Sequence, residues 1–168
     1  AADIIGASEG VSEEDMVLMR TAVLLHDIGY IVRYNHNESV ACEIADEILP
    51  AYGYSESDLE QIKVLIMSTQ VGLEPDTHLE KVMCDADHDY FGRENYREIA
   101  ETLYRELAEY GFRHNEKEWL TKQIYFLTHK HQYYTDFSLK HRLPVKKATI
   151  RALEEKLADL NGEDPQEK

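Results

Sequence analysis

Apolar residues recur along this chain at helical spacing and almost nowhere in alternation. Ser12 precedes Glu13, Glu14 and Asp15, an N-cap followed by acids in the first turn. The helix it opens is expected to run to about Asp27. Its second half, Ala22, Val23, Leu24 and Leu25, is apolar nearly all round and reads as buried, with Gly29 as the stop. A helix from about Asn37 to Leu49 follows, with Val40, Ile44 and Ile48 as its inner stripe and Pro50 after it. His36 continues that stripe backwards and is expected to face inward. Ser55 caps a helix from about Glu56 to Thr69, with Leu59, Ile62 and Ile66 inside. Gly72 to Thr77 reads as a loop. Four more helices are expected over about His78–Tyr90, Arg93–Tyr110, Glu116–Tyr133 and Pro144–Leu160. The pattern holds no useful strand, no internal repeat and no low-complexity tract. It predicts an all-α fold, one bundle of about seven helices over residues 1–160, with a polar tail at 161–168.

The opening Ala1-Ala2-Asp3-Ile4-Ile5 has no initiator methionine and reads as the interior of a helix. A segment upstream, with a further domain as one form of it, is therefore expected. Hydrophobic residues make up 43% of the 168, and none of their runs reaches the ~18 needed to span a membrane. No signal segment opens the chain. The two cysteines, Cys42 and Cys84, form no CxxC pair, which argues against a zinc knuckle or disulfide framework and for the cytoplasm. The formal net charge of −15 excludes non-specific nucleic-acid binding, which needs a cationic footprint. Lys130, Lys140, Arg142, Lys146, Lys147 and Arg151 nevertheless cluster in one stretch. That stretch is either a solvated face or a local attractor for an anionic substrate. The oligomeric state, a homodimer included, is left open.

The candidate chemistry lies in two places. His26-Asp27 stands at the end of the apolar helix, where an imidazole and a carboxylate need satisfying. Neighbours in a helix diverge by ~100°, so the two can meet one cation only where the chain leaves helical geometry. A structural His–Asp hydrogen bond is the plainer alternative. The second place is Asp85, Asp87 and Asp89. Leu79, Val82, Met83, Ala86 and Tyr90 define the inner face of that helix. Asp87 lies beside it without a cationic partner at helical spacing. Asp85 with Lys81, and Asp89 with Arg93, read as exposed ion pairs of little worth. A buried carboxylate without a cation is a metal-ligand candidate. His88 and His114 read as exposed.

Leu24-Leu25-His26-Asp27-Ile28-Gly29 resembles the signature of the HD superfamily of metal-dependent phosphohydrolases, and Cys84-Asp85-Ala86-Asp87-His88-Asp89-Tyr90-Phe91-Gly92 is similar to its downstream aspartate segment. The order and separation of the two segments also fit, and the resemblance covers about residues 1 to 95. It implies an HD-type helical bundle with a mono- or dinuclear metal site, here held by His26, Asp27 and Asp87, a ligand set that suits divalent Mn²⁺, Fe²⁺, Co²⁺, Ni²⁺ or Zn²⁺ and Mg²⁺ less well. It also implies hydrolysis of a small phosphorylated substrate, such as a nucleotide. The family's first histidine would fall upstream of Ala1. Dinuclear members carry further histidines; here Ser68-Thr69-Gln70 stands where one is expected, so a single metal is favoured. On this resemblance His36 and Glu38, together with Asp27, are the catalytic candidates. Arg33, Lys63, Arg93 and Lys146 are candidates to neutralise phosphate charge. Two rival readings remain: a di-iron HD-type oxygenase, and a catalytically degenerate helical signalling module.

Overall fold

Polar N-caps followed by an acid three residues on open four of the helices. Ser55, Thr77 and Asn115 each close a reciprocal capping box with an acid three residues on, Asp58, Glu80 and Glu118, and Ser12 accepts from the amide of Asp15. In a computed structural model that describes residues 1–162, these signals open helices where the pattern expects them. The described residues contain nine α-helices and no strand. They are α1 (Ala2–Ser8), α2 (Glu13–Leu25), α3 (Asn37–Ile48), α4 (Glu56–Ser68), α5 (His78–Asp87), α6 (Tyr96–Glu109), α7 (Glu116–His129), α8 (Asp136–His141) and α9 (Leu143–Gly162). The all-α expectation therefore holds. Two short helices, α1 and α8, exceed the seven expected, and α7 stops at His129, short of Tyr133. The tail beyond Gly162 lies outside the described residues. No helix among the described residues is long and apolar enough to cross a membrane.

The sequence reads as one helical domain; the described chain falls into two compact units. The first comprises Ala1–His88 together with Tyr134–Phe137. Its core gathers Ile5, Met16, Met19, Ala22, Ala41, Ala45, Ile62, Ile66, Val82 and Met83, all buried, with Phe137 packed against them. Within it α2 and α3 pack on α4, and α1, α2 and α4 pack on α5. The second unit comprises Asp89–Tyr133 and the chain from Ser138 onward. Its smaller core is aromatic, with Phe91, Tyr96, Leu127 and Tyr133 buried, and α7 packs along α9.

Two burial expectations are corrected. Leu24, read as interior, is 81% exposed; α2 buries Met16, Leu18, Met19, Ala22 and Leu25, and Leu24 falls off that face. Lys146, in the basic stretch, is neither solvated nor open to a ligand. It is buried, and its ammonium donates to the Nδ1 and the carbonyl of His131 at 2.8 and 2.7 Å. Burial pushes its pKa down to about 8.

Candidate metal centre

The first unit brings the end of α2 and the end of α5 together. His26 is the C-cap of α2, and Asp27 follows beyond the helix end at φ −100°, ψ 0°, at the loose edge of the right-handed helical region. Asp87 is the last residue of α5. Both are helix C-termini, where unsatisfied carbonyls favour positive charge. Adding carboxylates there raises the demand for a cation.

The chain turns sharply after Asp27 because Gly29 permits it. A Cβ on Gly29 would lie 1.9 Å from the carbonyl oxygen of Asn37. The glycine is thus required by close approach to the start of α3. It does not adopt the left-handed backbone expected of a helix-stopping glycine. Asn37 is buried, and its carboxamide donates to the carbonyl of His26 at 3.5 Å, holding the turn against α3.

The imidazole of His26 is oriented at both nitrogens. Nδ1 lies 2.9 Å from the carbonyl of Val23; a carbonyl only accepts, so Nδ1 carries the proton. Nε2 then faces two carboxylates, Asp87 Oδ1 at 3.2 Å and Asp27 Oδ2 at 3.3 Å. A lone pair aimed at two anions is repelled, so the arrangement asks for positive charge at Nε2. Burial alone would lower the His26 pKa, but the hydrogen bond and charge of Asp87, with help from Asp27 and Val23, raise it to about 9. Asp87 responds in kind. Burial pushes its carboxyl up, yet His26 and His88 outweigh that and hold it below the ordinary value. The donor set, one imidazole nitrogen and two carboxylates meeting around a point that stabilises a proton, fits a divalent cation. Among the described residues, however, no three His, Cys, Asp or Glu side chains already form a metal-ready group. The trio converges through His26.

The other site candidates are placed as follows. His36 is exposed, with a left-handed backbone at φ +56°. Its ring does not continue the α3 stripe, which corrects the inward expectation. Glu38 lies half-buried in the first turn of α3. Arg33 donates to the His36 carbonyl and to the Ser39 hydroxyl. Lys63 is paired with Asp46 at 3.1 Å and Glu60 at 2.6 Å. Arg93 and Lys146 belong to the second unit. Arg93 pairs there with Asp89, and Lys146 is committed to His131.

Two of the three aspartates also depart from expectation. Asp85 is fully buried, not an exposed partner of Lys81, and accepts from Tyr134 and Thr135. Asp89 is buried between two arginines, Arg93 and Arg142. One neighbour of the centre went unseen in the sequence. His88, half-buried, has Nε2 3.6 Å from Asp87 Oδ2. Its adjacency to Asp87 at a helix end was the available signal. Tyr30, 40% exposed, has its phenol pushed up to about 12 by partial burial and by the charges of Asp27, Asp87 and others.

Residues 1–92 match the family model of the HD domain. That segment covers more than half of the chain and contains His26, Asp27 and Asp87. The chain belongs to the HD domain family, a superfamily of metal-dependent phosphohydrolases that also includes non-catalytic members. No curated protein matches it. No solved structure matches it either.

Proposed function

We propose that this chain is a metal-dependent phosphohydrolase acting on a small phosphorylated metabolite, nucleotides among them, with a divalent cation held by His26, Asp27 and Asp87. The observation that carries the reading is the two-sided orientation of His26. Its Nδ1 is fixed to the Val23 carbonyl and its Nε2 is presented to two carboxylates. When bound, such a cation supplies a Lewis acid and lowers the pKa of a water molecule.

The protein's own groups have separate tasks in this reading. Val23 and Asn37 set the ring and the turn of His26-Asp27. Glu38 and His36, at the start of α3, handle protons exchanged with substrate and solvent. Lys63 is paired with two carboxylates, whereas Arg33 donates only to the Ser39 hydroxyl and the His36 carbonyl and keeps its positive charge for a phosphate. A second reading, an HD-type module without catalysis, is favoured by one observation: no complete group of three or more metal-ligating side chains among the described residues.

Turnover decides between them. The purified chain is incubated with p-nitrophenyl phosphate, bis(p-nitrophenyl) phosphate and a nucleotide panel, with Mn²⁺, Co²⁺, Ni²⁺, Zn²⁺ or Mg²⁺ and with a chelator. Hydrolysis that requires added metal supports the enzyme. No turnover of any ester with any of the metals supports the non-catalytic module.

A further inference from the structure

The HD-family match ends at residue 92, yet the unit that carries His26, Asp27 and Asp87 contains four residues from much later in the chain, Tyr134–Phe137. They are tied in at three points. Phe137 packs on the core, and its amide donates to Glu9 Oε1 at 2.8 Å. The Tyr134 hydroxyl donates to Glu74 at 3.0 Å. The third tie is to Asp85, which is fully buried in the last turn of α5. Its Oδ1 and Oδ2 accept from the Tyr134 amide at 3.0 and 3.2 Å, and Oδ2 accepts from the Thr135 amide at 2.8 Å and from the Thr135 hydroxyl at 2.6 Å.

Asp85 is two residues from Asp87 on the same helical turn. A carboxylate gripped by two amides and a hydroxyl in a buried place has no solvent to turn to, and its direction is fixed. Helical geometry sets the angle from one residue to the next at ~100°, so fixing Asp85 fixes the direction in which Asp87 leaves the helix. Without that grip, the last turn of α5 is an ordinary helix end, prone to fray.

We propose that Asp85 and Thr135 are positioning residues for the metal centre: the Tyr134–Phe137 segment, through the Thr135 hydroxyl and two amides, holds the end of α5 so that the Asp87 carboxylate meets His26. This rests on the metal-centre reading above and assigns a role to Thr135, outside the family segment.

The test is Mn²⁺ affinity, read by electron paramagnetic resonance of free Mn²⁺ on the full chain, beside the melting temperature. Thr135→Val removes the hydroxyl and keeps the shape; Thr135→Ser keeps the hydroxyl. Ile62→Val trims the same unit's core. Thr135→Val is expected to weaken Mn²⁺ binding ~10-fold or more, the loss typical of residues that orient a ligand. Thr135→Ser is expected to restore it, and Ile62→Val to lower the melting temperature with Mn²⁺ affinity unchanged. Wild-type affinity in Thr135→Val overturns the proposal, as does an equal loss in Ile62→Val at equal loss of stability. If the wild-type chain itself binds no Mn²⁺, the metal-centre reading fails and this role fails with it.

Discussion

His26 and Asp87 lie 61 positions apart in the chain, and their side chains meet at 3.2 Å. In the metal-free protein this contact holds a proton between them. The His26 pKa rises from 6.5 to about 9 on folding. A raised pKa gives stability that is fully present below pH 6.5 and is lost as pH climbs through about 9. Asp87 acts in the opposite sense: its lowered pKa gives stability present above about 3.8, lost as pH falls through its depressed value. Melting in the presence of a chelator should therefore decline between pH 6.5 and 9, and His26→Gln should flatten that decline. Parallel declines in both proteins would refute the pairing.

Gly29 should tolerate no side chain. The Cβ of Gly29→Ala would collide with the backbone of Asn37, which cannot swing aside as a side-chain tip can. Overpacking of this kind costs ~1–3 kcal/mol or more. Gly162, in α9, has nothing within 4 Å of an added Cβ. Gly162→Ala should be neutral or stabilising by up to ~1 kcal/mol. Urea unfolding of the two variants measures the contrast, and equal midpoints would contradict it.

Asp89 should matter far more than an exposed ion pair. Asp89→Ala removes a buried carboxylate that accepts charge-assisted bonds from Arg93 and Arg142; with the Arg93 side chain 40% exposed, the loss should be ~1.5–3 kcal/mol. Glu101→Ala, which breaks the exposed contact with Arg105, should change stability by less than ~1 kcal/mol. Denaturant titration checks both values. A small loss in Asp89→Ala would show that the arginines find water instead.

The helical fold was legible because it depends on local order; the pairing of His26-Asp27 with Asp87, 61 positions further on, came only from resemblance to the HD signature. Caps, apolar periodicity and the turn at Gly29 are written within a few residues of where they act. Asp85 was misread, and the burial of Asp89 was missed although its pairing with Arg93 holds, because their partners Thr135 and Arg142 lie far along the chain, where periodicity carries no information. His36 was expected inward on the assumption that α3's geometry extends back to it, but its left-handed backbone breaks the register. His88 was judged by polarity at the point where α5 ends and the 3.6-residue rule stops applying. Lys146 was judged by its charged neighbours, whereas the His131 carbonyl and ring give it a buried berth. The six residues of α8 are too few to display a period.

Metal content tests the central claim most directly. Wild-type protein, Asp27→Ala and Asp87→Ala are each reconstituted with Mn²⁺, freed of excess ion and analysed for metal per chain. The wild type should retain one ion and the two variants almost none, with circular dichroism showing all three folded. Full occupancy in either variant, or none in the wild type, would contradict a cation held by His26, Asp27 and Asp87.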